Sequence, residues 1–130
     1  MPTNITLSRS IAIDAPADAV FAFVADPRNL PRWAPGAAKS VQPSGDDWLL
    51  DNGQAEVRIS VRTSEEHGTV DLLSPDDPRS GVFTRVLPNG TGSEYQFTLF
   101  FPEGTPQDAV DQQLTVIEQE LATVRTLCES

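Results

Sequence analysis

Several residue types are scarce in this chain, and each scarcity narrows what the protein can do. There is one cysteine, Cys128, and one histidine, His67. A lone thiol forms no internal disulfide. With no CxxC spacing and no histidine beside it, Cys128 is expected as a small apolar filler on a terminal helix. Basic residues are also few: 9 Lys and Arg stand against 19 Asp and Glu, a net charge of -10. No basic stripe is left to neutralise phosphates, so nucleic acid and anionic membrane surfaces are poor partners. No segment approaches the roughly 20 apolar residues of a membrane span, and the opening MPTNITLSRS has neither a basic start nor a continuous apolar run. A soluble, cytoplasmic protein is expected. P-loop, GxGxxG, GxSxG and HExxH spacings are missing too, which leaves nucleotide, hydrolase and zinc-enzyme readings without a motif and predicts no bound metal or cofactor.

What is present suits one domain. A chain of 130 residues buries roughly two thirds of the surface its unfolded form exposes. ITLSRSIAI alternates strictly, with Ile5, Leu7, Arg9, Ile11 and Ile13 on one face, and predicts a half-buried strand. APADAVFAFVADPRNLPRWAPG follows. Pro16 suits the first position of a helix with Asp18 in its first turn, and Val20, Phe23 and Val24 form its apolar stripe. Asp26-Pro27 ends that helix and caps a second, which stops near Trp33 because Pro35-Gly36 cannot continue it.

From Val41 onward the period is that of strands, an antiparallel meander broken at QPSGDD, DNG, SEEHG, SPDDPRSG and PNGTGS. A loop at Ser64–His67 sets Val61 against Val70 and Ile59 against Leu72. A type I′ turn at Asn89-Gly90 sets Thr84 against Tyr95, Val82 against Phe97 and Arg85 against Glu94. EYQFTLFF turns Tyr95, Phe97, Leu99 and Phe101 to one side, the densest aromatic face of the chain. Thr105-Pro106-Gln107-Asp108 then opens a long helix, with Thr105 as cap and Pro106 at the first position. Val110, Leu114, Ile117, Leu121, Val124 and Cys128 recur along it at helical spacing. Val57, Ile59, Leu72, Tyr95, Phe97, Leu99, Leu114, Ile117 and Leu121 are expected to face the interior between sheet and helix.

Strand, two short helices, antiparallel strands and one long C-terminal helix is an order that resembles the α+β helix-grip fold of the START-like, or SRPBCC, superfamily. Ala15-Pro16, Asp26-Pro27 and Trp33 are similar to the opening of its polyketide cyclase/dehydrase and lipid-transport branch. The resemblance implies a curved sheet wrapped around the C-terminal helix over residues 1–130, with the short helices as a support that leaves a cavity. Strands KSVQP and DWLLDN are weak, so the pocket is expected to be small or open on their side.

Single residues carry less. His67 falls at a hairpin tip, and the acidic pairs Asp46-Asp47, Glu65-Glu66 and Asp76-Asp77 fall in turns, where solubility and turn formation explain them. Arg9 interrupts an apolar face. Either it reaches inward to Glu120, Glu94 or a ligand acid, or it lies at the mouth with its stem packed and its head in water. Thr84, Tyr95 and Gln113 are polar groups able to meet a ligand, and Trp33 and Trp48 close the ends of short elements. Arg9, Phe23, Trp33, Ile59, Leu72, Thr84, Tyr95, Phe97, Leu99, Gln113, Leu114 and Ile117 make up the expected ligand-binding set. The first function expected is binding of a small molecule that is largely apolar or weakly acidic. The alternatives are a cyclase/dehydrase-type enzyme using Arg9, Tyr95 and Gln113, and a filled core whose outer surface binds another protein.

Overall fold

The computed structural model describes residues 3–130. Strand β1 (Ile5–Ile13) leads to helix α1 (Ala17–Val24), a 3-10 turn (Pro27–Asn29) and the single-turn helix α2 (Leu30–Trp33). Strands β2 (Ser40–Ser44), β3 (Asp47–Asp51), β4 (Glu56–Ser64), β5 (Thr69–Ser74), β6 (Asp77–Asn89) and β7 (Gly92–Phe101) follow, and helix α3 (Gln107–Glu129) ends the chain. The strands form one seven-stranded antiparallel sheet in the order β1-β7-β6-β5-β4-β3-β2. α3 packs chiefly on β1, with lighter contact to β7, α1 and α2. This is the helix-grip arrangement. No helix among the described residues is long and apolar enough to cross a membrane.

The alternation of β1 matches that of β7 in register, Leu7 facing Leu99, Arg9 facing Phe97 and Ile13 facing Ser93. β4 is shared between two partners: Glu56–Ile59 pairs with β3, and Ser60–Ser64 pairs with β5. That stagger, with an irregularity at Leu73/Ser74 in the β5–β6 ladder, bends the sheet around one face.

Both expected hairpin registers are corrected by two residues. Val61 faces Leu72 and Thr63 faces Val70, so the first loop is Glu65–Gly68. Gly68 takes φ 72 there, a conformation the other loop residues would adopt only with strain. In the second hairpin Thr84 faces Phe97, Val86 faces Tyr95 and Arg85 faces Gln96. Asn89 is still strand, paired with Gly92. Gly90 (φ 60) stands at the first central position, glycine's place in a type II′ turn. A shift of two preserves side-chain parity, so the inward and outward sets survive both corrections.

Other corrections are local. Pro16 and Pro106 sit at cap positions rather than inside their helices. Thr105 caps nothing on α3; its hydroxyl donates back to the carbonyl of Pro102 at 2.6 Å. Val57, expected inside, is 51% exposed, because it lies on the part of β4 that pairs with β3, outside the area α3 covers. Asp26 does cap the 3-10 turn, accepting from the backbone N–H of Arg28 at 3.0 Å.

Candidate functional site

The inner face of the sheet has two different halves. At the α1/α2 end, Tyr95 and Phe97 stand on alternate positions of β7 and so share a face, and Trp33 lies over both. Its ring meets Tyr95 at 6.5 Å and 81° and Phe97 at 5.9 Å and 73°. Tyr95 and Phe97 meet at 5.2 Å and 88°. These are edge-to-face contacts, the arrangement the aromatic quadrupole favours. Val20, Val24, Ile117, Leu121 and Val124 close around them, all buried. This half is filled by side chains.

The other half is open. Ile59, Leu72, Val82, Leu114 and Phe101 touch the core but remain half-buried, and Val57 beyond them faces solvent. α3 has its main contacts on the β1 edge, and on the inner face of β4 and β5 Ile59, Val61 and Leu72 are half-buried while Val70 is buried. Ile59 of β4, Leu72 of β5 and Val82 of β6 form a partly exposed apolar face beyond the buried Phe97 and Leu99 of β7, and with Leu114 of α3 they outline a candidate groove. Strands β2 and β3 lie beyond β4 on that side of the sheet.

Helical geometry distinguishes the two flanks of α3, with Leu114, four residues before Glu118, on the side of Glu118. The Glu118 carboxylate lies 4.0 Å from Arg9 of β1, so position 118 faces the β1 flank. Glu120, two residues on and about 200° round, is on the opposite flank. Gln113, seven residues before Glu120, shares its side, and both are half-buried.

The polar candidates separate accordingly. Arg9 is on the inner face, but its side chain is 45% exposed. Its Nη1 donates to the Ser8 carbonyl at 2.8 Å, and its acidic neighbour is Glu118 rather than Glu120 or Glu94. Glu94 instead accepts from the Ser10 hydroxyl at 2.9 Å. Phe23 is half-buried beneath the Arg32 guanidinium, 5.2 Å from its ring centre. Thr84 is buried and its hydroxyl donates to the Val70 carbonyl at 2.6 Å. His67 is exposed in the β4–β5 loop, its Nδ1 2.9 Å from the Ser64 hydroxyl.

Burial sets the ionisation of the interior. It pushes the Tyr95 phenol well above its ordinary value, only partly opposed by the Thr84 hydroxyl beside it and reinforced by the Glu120 charge. Burial alone pushes the Glu120 carboxyl up to about 7. The Cys128 thiol is also raised by burial. Trp33 carries the one buried side-chain polar atom without a partner among the described residues, its indole Nε1. A buried donor left unpaired costs about 1–3 kcal/mol.

Sequence reasoning named Glu120 only as a counter-charge for Arg9. Its position, one residue from Leu121 and seven from Gln113, was the available signal. Of the expected set, Ile59, Leu72 and Leu114 are half-buried with Phe97 and Leu99 buried beside them, Ile117, Tyr95 and Trp33 belong to the filled half, Gln113 lies on the Glu120 flank of α3, Arg9 is exposed and Phe23 is half-buried.

Residues 4–122 match the family described as polyketide cyclase / dehydrase and lipid transport. No curated protein matches the sequence. Among solved structures, a protein from Bacillus thuringiensis is 13% identical, with 97% of this chain and 100% of that chain covered, at a TM-score of 0.78. A START superfamily protein from Mycobacterium smegmatis is 16% identical, with 95% and 97% covered, at a TM-score of 0.68. Ara h 8.0201 is 16% identical, with 92% and 97% covered, at 0.57. At such identities these likenesses establish the fold alone, and the match over residues 4–122 establishes the family. The chain belongs to the polyketide cyclase / dehydrase and lipid transport family.

Proposed function

We propose that the protein binds a small, largely apolar molecule in the groove between α3 and the inner face of β4–β6. One observation carries this reading: α3 covers the β1 side of a curved apolar face and leaves Ile59, Leu72 and Leu114 half-buried, with Val57 exposed beside them. An apolar, concave surface with few polar groups is the usual make-up of a small-molecule site. The family description, which includes lipid transport, supports the same reading.

The cyclase/dehydrase alternative through Arg9, Tyr95 and Gln113 has less support. Burial holds the Tyr95 phenol in its neutral form, so it is no ready base, and Arg9 is 45% exposed beside Glu118. The filled-core alternative suits the Trp33 end but not the half-buried residues of the other.

Native mass spectrometry of the gently purified protein, followed by titration with an environment-sensitive apolar dye, tests the proposal. A retained small molecule or saturable dye binding is expected, and Leu114→Trp, which fills the opening, should weaken the dye about tenfold or more. A bare mass together with no saturable uptake of dye by the folded protein would end the reading.

A further inference from the structure

We propose that the free edge of β1 is an interaction surface for a second copy of this chain, and that Arg9, lying across the edge, holds it closed in the wild type. β1 ends the sheet. Its nine residues pair with β7 in unbroken register and include no proline, glycine or lysine. Bulges, prolines, lysines and short length are the usual devices that keep an edge strand from pairing with another chain. The opposite edge has two of them, since β2 is five residues long and carries Pro43. β1 has a single charged residue, Arg9.

Backbone direction identifies the groups on this edge. The Val86 N–H donates to the Gly68 carbonyl at 2.8 Å, so the backbone of Val86 points to β5 and that of Arg85 to β7, directions alternating along a strand. Arg85 faces Gln96, and Tyr95, Phe97 and Leu99 therefore point to Ile11, Arg9 and Leu7. The N–H and C=O groups of Thr6, Ser8, Ser10 and Ala12 point away from the sheet, and all four residues are exposed. The Ser8 and Thr98 hydroxyls lie 2.9 Å apart, as befits facing residues that share no backbone bonds and bring their side chains closer.

The sequence of β1 names the partner. ITLSRSIAI reads nearly the same in both directions about Arg9. An antiparallel two-fold pairing centred there sets Leu7 against Ile11, Ser8 against Ser10 and Thr6 against Ala12 of the second copy, apolar on apolar and small on small. Arg9 alone meets itself, and like charges in paired strands repel. Its side chain also blocks the edge directly. Nε lies 4.0 Å from Glu118 on the inner face, yet Nη1 reaches the Ser8 carbonyl at 2.8 Å, and the residue lines a cleft with Ser8, Ser10 and Gln96 of the outer face. The guanidinium thus crosses the edge, takes a carbonyl that an incoming strand needs, and stands where that strand would lie.

Sedimentation of the full chain from micromolar to millimolar concentration tests this, in about 0.5 M salt to screen the net charge of -10. The wild type should keep the mass of one chain, and Arg9→Val should double it. Arg9→Thr carries the same expectation should the valine variant fail to fold. Amide hydrogen exchange in the doubled species should slow at Thr6, Ser8, Ser10 and Ala12 relative to the wild type. Adding Ser10→Pro, which removes an edge donor and leaves the β7 ladder untouched, should restore the single mass. A wild type already paired through these amides overturns the proposal, as does a single mass for Arg9→Val and Arg9→Thr alike. Doubling that survives Ser10→Pro, or that leaves the four amides unprotected, overturns it as well.

Discussion

Glu120 is an acid held in a place that favours its neutral form, and this has a consequence for stability. Its folded value, about 7, lies above its ordinary 4.5, so between those limits the folded chain binds more protons than the unfolded one. Stability linked to this group is present below about pH 4.5 and is lost as pH rises through about 7. Because the carboxyl keeps some solvent, the loss should be on the order of 1–2 kcal/mol rather than the full shift. Urea denaturation at about pH 5 and about pH 8 should show a decline in the wild type that Glu120→Gln reduces by this amount; equal declines in the two proteins would contradict it. Arg9→Ala should change stability by less than about 0.5 kcal/mol and leave apolar dye affinity within about twofold, since the side chain is half in water and its ion pair is long. A dye affinity lost with Arg9 would return it to the ligand set. At this scale the sequence was legible for residues whose type declares their place, such as Tyr95, Phe97 and Ile117. It was not legible for Glu120, because whether a polar side chain beside an apolar stripe is buried depends on what packs over that flank.

Within α3, residues three apart have different tasks. Ile117 is 2% exposed and belongs to the filled half, whereas Leu114 is half-buried and borders the groove. Ile117→Ala should therefore cost about 3 kcal/mol. Leu114→Ala should cost only about 1 kcal/mol and should weaken apolar dye binding several-fold. Denaturation and titration of both variants separate the roles; a Leu114→Ala loss as large as that of Ile117→Ala would make Leu114 core rather than wall. The period of α3 was readable because every apolar position repeats the same local geometry. The hairpins were readable in phase and not in register. Period two assigns faces from neighbouring residues, but the pairing partner depends on which loop residue takes positive φ, and Gly68 and Gly90 each stood at a different loop position from the one inferred.

For the whole molecule, the packing is uneven. β1, β7 and α3 grip one another, while β2 and β3 form an edge with one buried side chain between them, Leu50. Hydrogen exchange should be slowest in β1 and β7 and fastest in β2 and β3, and an apolar ligand should slow exchange in β4 and β5 with little change in β1. Uniform protection across the sheet would contradict this. The sequence by itself determined the order of the elements, the faces of its strands, the apolar stripe of α3 and the opening motif through Trp33, because each follows from local periodicity, proline and glycine stereochemistry, or capping. Only the tertiary structure decided that Trp33 fills one half of the enclosure, that Val57 lies in water, that Arg9 meets Glu118, and that Glu120 is half-buried on the flank of α3 away from β1. Those outcomes depend on where α3 comes to rest across a bent sheet, a position set by the sum of many distant contacts and by no short stretch of chain.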